Sequence, residues 1–144
     1  MNKLNFMQLN IDGFINKEPL LTQLINQYQL DLILLNELKR SNYYDSSAQT
    51  IQIPGFITHQ RNFRTAILYR KSLSDRCSPF FIPTQHQNNY QLGNQNVHSS
   101  SISITDFTTR KTLQIHSVYR PHSTNNDSII ELIEQIQQIP NQAN

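Results

Sequence analysis

The first sixty residues carry a hydrophobic pattern that changes period twice. From Leu4 to Asn10, apolar Leu4, Phe6 and, less regularly, Leu9 alternate with polar neighbours, and the spacing predicts a strand. Asp12-Gly13 breaks it. A helix is predicted from about Lys17, with Pro19 tolerated in its first turn. Leu20, Leu21, Leu24, Ile25 and Tyr28 then fall on one stripe at helical spacing. Asp31 leads into Leu32-Ile33-Leu34-Leu35, an apolar run too short for a helix and best suited to a strand buried on both faces. A strand, helix, strand succession of this kind crosses over right-handed and leaves its strands parallel.

Further along, Ser41–Gln49 is a polar loop, and short strands are predicted at Thr50–Ile53, Phe56–His59 and Thr65–Tyr69, with Pro54-Gly55 turning between the first two. The Pro-, Asn- and Gln-rich stretch from Ser74 to Gln95 has room for one strand near Phe80–Ile82. Ser99–Thr105 and Lys111–Tyr119 predict two antiparallel strands joined by a turn at Asp106–Arg110, with Leu113, Ile115, Ser117 and Tyr119 on one face of the second and His116 on the other. Ser128-Ile129-Ile130-Glu131 fits a capping box opening a last helix that runs to Pro140. With no internal repeat and no dividing linker, residues 1–144 are expected to form a single domain.

Composition sharpens this only a little. The chain is 37% hydrophobic and 15% charged, and its polar surface leans on 16 Asn and 16 Gln rather than on ions. A formal net charge of +2 is compatible with nucleic-acid binding and equally with an ordinary surface. The one cysteine, Cys77, excludes an internal disulfide and lacks the companions of a zinc site, which points to a reducing compartment. No apolar run approaches the ~20 residues that span a bilayer, and Met1-Asn2-Lys3-Leu4 does not open a signal peptide, so an intracellular location, nucleus or cytoplasm, with no membrane partner, is expected.

Ligands of open α/β sheets gather at the carboxyl ends of parallel strands. Asn10 closes the first strand, Glu37 follows the second, and Asp12 stands in the loop after the first. If the strands are neighbours, two carboxylates and an amide oxygen converge into a hard-oxygen set suited to Mg²⁺ or Mn²⁺ and not to zinc. The same residues also suit a turn and an exposed strand end, and pattern alone leaves both readings open. Tyr119-Arg120-Pro121 closes the Lys111 strand; its hydroxyl and guanidinium can meet a phosphate, though Tyr and Arg are also routine strand residues. His59, His86, His98 and His122 show no metal-ligand spacing, and there is no Gly-rich phosphate loop.

Five segments, in order, resemble the endonuclease/exonuclease/phosphatase family, most closely the apurinic-endonuclease-like domain of non-LTR retrotransposons. They are Gln8-Leu9-Asn10-Ile11-Asp12-Gly13-Phe14, Asp31-Leu32-Ile33-Leu34-Leu35-Asn36-Glu37-Leu38-Lys39, Ile53-Pro54-Gly55-Phe56, Thr65-Ala66-Ile67-Leu68-Tyr69-Arg70 and Ile115-His116-Ser117-Val118-Tyr119-Arg120-Pro121. The resemblance implies an α/β (α+β) fold, half of a four-layer αββα sandwich with a mixed sheet and flanking helices. It implies metal-assisted hydrolysis of a phosphodiester, usually in DNA, with Mg²⁺ or Mn²⁺ as cofactor. Asn10 would orient the phosphate or nucleophile, Glu37 would be the principal metal carboxylate with Asp12 assisting, and Tyr119 would contact the scissile phosphate. Arg120 and Arg64 would bind substrate.

Three departures accompany the matches. Asn62-Phe63-Arg64 replaces a Gly-rich run, Gln8 replaces a Trp, and the family's later Gly-Asp-Phe-Asn and Asp-His motifs find no counterpart before Asn144. The expectation is therefore a truncated domain, inactive alone, that supplies only the first sheet. Its inner face would be apolar and uncovered, inviting self-association. Two other functions stay open: a non-catalytic interaction module pairing through that face, and a phosphatase of the same superfamily acting on a small molecule or lipid head group.

Overall fold

A computed structural model of the chain describes residues 3–14, 16–38, 51–60, 64–80, 98–119 and the single positions 130, 133, 134, 136 and 137. Seven strands and one α-helix are built from them: β1 (Phe6–Asn10), α1 (Glu18–Tyr28), β2 (Leu32–Asn36), β3 (Phe56–His59), β4 (Thr65–Arg70), β5 (Cys77–Phe80), β6 (His98–Asp106) and β7 (Lys111–Tyr119). The fold is α+β, mostly strands in two sheets. No described helix is long and apolar enough to cross a membrane.

The first sheet has the order β1-β2-β4-β3. As the period change predicts, β1 and β2 pair in parallel around α1, from Phe6 opposite Leu32 to Asn10 opposite Asn36. β4 then runs antiparallel to both β2 and β3. Asp31 fixes the start of this arrangement. Its carboxylate accepts the Asn5 N–H at 3.0 Å and lies 3.4 Å from the Arg70 guanidinium, so β1, β2 and β4 are tied at one end.

Pro19 sits in the first turn of α1, where its missing N–H leaves no helical bond unmade. The helix stops at Gln29, whose left-handed backbone (φ 51°) brings the Gln29 and Leu30 N–H groups onto the Ile25 carbonyl. Its buried stripe is narrower than the pattern predicts. Leu21 and Ile25 are buried and Leu24 partly so, while Leu20 and Tyr28 flank them in solvent. This stripe packs on Ile33, Leu35, Ala66 and Leu68, with Met7 and Leu9 at the margin, and forms the first core.

Residues 51–53 differ from the predicted strand. Ile51 and Ile53 alternate into the first core as a strand would, yet they join no ladder. The Thr58 hydroxyl donates to the Ile51 carbonyl at 2.8 Å and the Phe56 N–H donates to that of Ile53, so among the described residues local bonds stand in place of a partner strand. Of the strand expected near Phe80–Ile82, Phe80 closes a strand at Cys77–Phe80, while Phe81 and Ile82 lie outside the described residues. Of the helix expected from Ser128, positions 130, 133, 134, 136 and 137 are helical; Ser128 and Pro140 lie outside the described residues.

The second sheet, β5-β6-β7, is antiparallel throughout. It changes the expectation of a single sheet with a bare inner face. Leu32, Leu34, Ile67 and Tyr69 of the first sheet share a second buried core with Ile102 and Ile104 of β6, and Ile115 of β7 packs against it. The apolar face expected to drive self-association is thus covered by the chain's own strands, because β6 presents isoleucine at alternate positions toward it.

Candidate functional site

The carboxyl ends of β1 and β2 lie side by side, Asn10 opposite Asn36. Met7 and Leu9 face the first core, so by the period of two Asn10 is on the opposite face of the sheet. Asn36 shares that face with Leu32 and Leu34. Backbone pairing continues past both strand ends: the N–H groups of Ile11, Gly13 and Phe14 donate to the carbonyls of Asn36, Glu37 and Leu38 at 3.1, 2.8 and 2.9 Å. The loop carrying Asp12 is therefore held against the segment carrying Glu37.

Both segments turn through left-handed backbone. Asp12 has φ 48°, Gly13 φ 92° and Glu37 φ 57°. For Asp12 the conformation is inexpensive, since its N–H is met by the Asn10 Oδ1 at 3.2 Å in an Asx-type turn. Glu has no such local compensation, and a left-handed non-glycine residue costs about 1–2 kcal/mol. Burial of Ile11, Phe14 and Leu38 on either side, together with the carbonyl bond from Gly13, holds it there.

Tyr119 reaches the same rim from the second sheet. The Ser117 hydroxyl donates to the Leu35 carbonyl at 2.9 Å, and the Asn36 side-chain amide donates to the Val118 carbonyl at 3.3 Å, which pins the end of β7 over the end of β2. Beside them, Ser100 Oγ donates to the Thr65 carbonyl at 3.1 Å and lies 2.8 Å from Thr65 Oγ1. With the serine proton spent on the carbonyl, the threonine hydroxyl is the donor of that second contact. The two sheets are apolar against each other in the middle and hydroxyl-bonded at the rim.

Arg64 begins β4. It is only 2% exposed, and its guanidinium carbon stands 4.8 Å from the centre of the Tyr119 ring. Its carbonyl accepts the Leu38 N–H at 3.3 Å. The group expected to bind substrate thus lies beneath the rim rather than on it. Arg120 lies outside the described residues. The rim consequently gathers Asn10 and Asp12, both exposed, with partly buried Glu37 and Tyr119 and buried Arg64.

Two residues beside the rim, Asn36 and Lys17, are not singled out by the sequence pattern. The Asn36 Oδ1 is buried with no hydrogen-bond partner among the described residues, and the Lys17 ammonium donates to the Ile11 carbonyl at 3.2 Å. Asn36 has a legible signal: once β1 and β2 are parallel neighbours, the residue in register with Asn10 shares its face.

Among the described residues, no group of three or more His, Cys, Asp or Glu is suited to hold a metal ion. A closed cage of the zinc type is therefore not formed by them. Mg²⁺ asks for less, commonly one or two carboxylates with water and substrate phosphate completing the octahedron. The Glu37 and Asp12 carboxylates, the amide oxygen of Asn10 and the orphaned Oδ1 of Asn36 fit that demand in kind.

His116 stands apart from the rim. Its Nδ1 is 2.8 Å from the Ser101 hydroxyl and its ring meets Phe80 edge-on at 5.6 Å, and burial pushes its pKa below the ordinary 6.5. An open depression of about 530 Å³ lined by Ile51, Pro54, Phe56 and Lys71 is also separate. It lies near the Phe56–Arg70 pairing, at the far end of β4 from Thr65. Set against protein-family models, curated proteins and solved structures, the chain matches none.

Proposed function

We propose that the rim is the cation- and phosphate-binding part of a Mg²⁺-dependent phosphodiesterase site acting on DNA, in a fold of the αββα endonuclease/exonuclease/phosphatase kind. One observation carries the reading: Asn10 and Asn36 stand in register at the ends of parallel strands, and the Gly13 N–H, next to Asp12, donates to the Glu37 carbonyl, which holds the two acidic segments side by side. Glu37 and Asp12 would hold the cation, with Mn²⁺ as a substitute. When bound, that cation neutralises phosphate charge and lowers the pKa of an attacking water. The Asn10 amide would orient a phosphate oxygen, and the Tyr119 hydroxyl would donate to another. Contacts to phosphate position a nucleic acid without reading its sequence, so base preference would be slight.

The chain carries no counterpart of the general base and transition-state donors that the resemblance implies, and each such element is worth roughly 10²–10⁴ in rate. Alone it is expected to bind the cation and not to turn over.

The test is paramagnetic. Sub-stoichiometric Mn²⁺ should broaden the amide signals of Asn10, Gly13 and Glu37 and spare those of Phe56 and Ile57, and Glu37→Ala should weaken the effect by about tenfold or more. In parallel, supercoiled plasmid in Mg²⁺ should stay intact. Broadening elsewhere, or unchanged by Glu37→Ala, would remove the site. Robust nicking that Glu37→Ala abolishes would keep the site and overturn the inactivity.

A further inference from the structure

We propose that Arg64 is a positioning residue that locks Tyr119 at the rim and braces the Glu37 turn, and that it does not itself meet substrate. The inference rests on the phosphodiesterase reading above and adds to it a role for a residue of the Asn62-Phe63-Arg64 segment, which stands where the family that the chain resembles has a Gly-rich run.

Three observations converge on this one residue. Its guanidinium lies over the Tyr119 ring at 4.8 Å while the residue as a whole is 2% exposed. Its carbonyl holds the N–H of Leu38, the residue directly after left-handed Glu37. Its neighbour Thr65 is fastened to Ser100 of the second sheet by two hydroxyl contacts. Arg64 therefore spans the metal-side segment in the first sheet and the phosphate-side residue in the second.

The chemistry suits holding better than binding. A guanidinium is attracted to the electron-rich face of a phenol ring, more strongly where water is excluded, and its planar shape stacks on the ring as a lysine ammonium cannot. A tyrosine at a strand end has two torsions to place its hydroxyl. A cation fixed against one ring face removes most of that freedom and leaves the hydroxyl directed along the rim. A phosphate arriving from solvent would have to displace the ring to reach the buried charge.

A double-mutant cycle separates the two roles. The full chain carrying ring-¹³C tyrosine is titrated with Mn²⁺, and then with a short DNA duplex in Ca²⁺, as wild type, Arg64→Met, Arg64→Lys, Tyr119→Phe and Arg64→Met/Tyr119→Phe. Arg64→Met should leave Mn²⁺ broadening at Asn10 in place, shift and broaden the Tyr119 ring signals, and weaken duplex binding about tenfold, with Arg64→Lys intermediate. In the Tyr119→Phe background, which has no hydroxyl to position, Arg64→Met should cost nothing more. An equal loss in that background means direct contact with the duplex and overturns the inference while the site stands. Wild-type protein that binds neither Mn²⁺ nor duplex overturns both. Should Arg64→Met not fold, Arg64→Lys is carried through the same cycle, and unaltered Tyr119 ring signals in it overturn the inference.

Discussion

Glu37 shows what a single backbone angle can reveal. A glutamate at φ 57° sits where glycine would be easier, so the carboxylate is kept at a conformational expense. Replacing it separates the two contributions. Glu37→Ala and Glu37→Gly both delete the carboxylate and should both lose Mn²⁺ binding. Glycine removes the steric cost of about 1–2 kcal/mol but gives back part through a more flexible unfolded chain. Glu37→Gly should therefore be about 0.5–1 kcal/mol more stable than Glu37→Ala in urea unfolding. Equal midpoints, or a less stable glycine variant, would mean that residue 37 does not keep its left-handed backbone. Much of the rim was readable at this scale, because Asn10, Asp12, Glu37 and Tyr119 all follow from where strands end. The burial of Arg64 was not: arginine is normally a surface residue, and Asn62-Phe63-Arg64 has no period to say which way it faces.

At the scale of elements, period and punctuation did most of the predicting. β3 and β7 have the bounds read from the sequence, and β2, β4 and α1 differ only at their ends. The misses have a common cause. Alternation or spacing alone predicts a strand through residues 51–53 and burial of the outer positions of α1, whereas a strand also needs a neighbour and a helix face needs something to pack on. β7 obeys its alternation with Ser117 and Ile115 toward the first sheet and His116 away from it. That places His116 beside Ser101 and Phe80 as a partly buried imidazole whose charged form is disfavoured by burial. The unfolded chain takes up this proton near pH 6.5 and the folded chain only at lower pH. The contribution to stability is therefore whole above pH 6.5 and is lost as pH falls through the folded pKa. Urea midpoints measured from pH 8 to pH 5 should decline over the acid part of that range, and His116→Gln should flatten the decline. A slope unaffected by that substitution would place the linked proton elsewhere.

At the scale of the whole molecule, one sheet serves two cores: α1 covers one face and β5–β7 the other. The second covering was hidden in the sequence by its composition. Serine is mostly a surface residue, yet Ser99, Ser100 and Ser101 are all buried, and Ser100 and Ser101 spend their hydroxyls on Thr65 and His116. Isoleucine at 102 and 104 then supplies the apolar contact. If that shared core binds the two sheets into one cooperative unit, a cavity on the second sheet must weaken the first. Ile102→Ala removes buried apolar volume beside Leu34 and Ile67 and should cost about 2–5 kcal/mol. Native-state hydrogen exchange then distinguishes two architectures. With one unit, the most protected amides of β2 and β4 lose protection by the same free energy as those of β6 and β7, since all exchange through the same global opening. With two separately stable sheets, the loss would be confined to β5, β6 and β7, and the rim that needs Tyr119 poised over Asn36 would come apart whenever the second sheet opened alone.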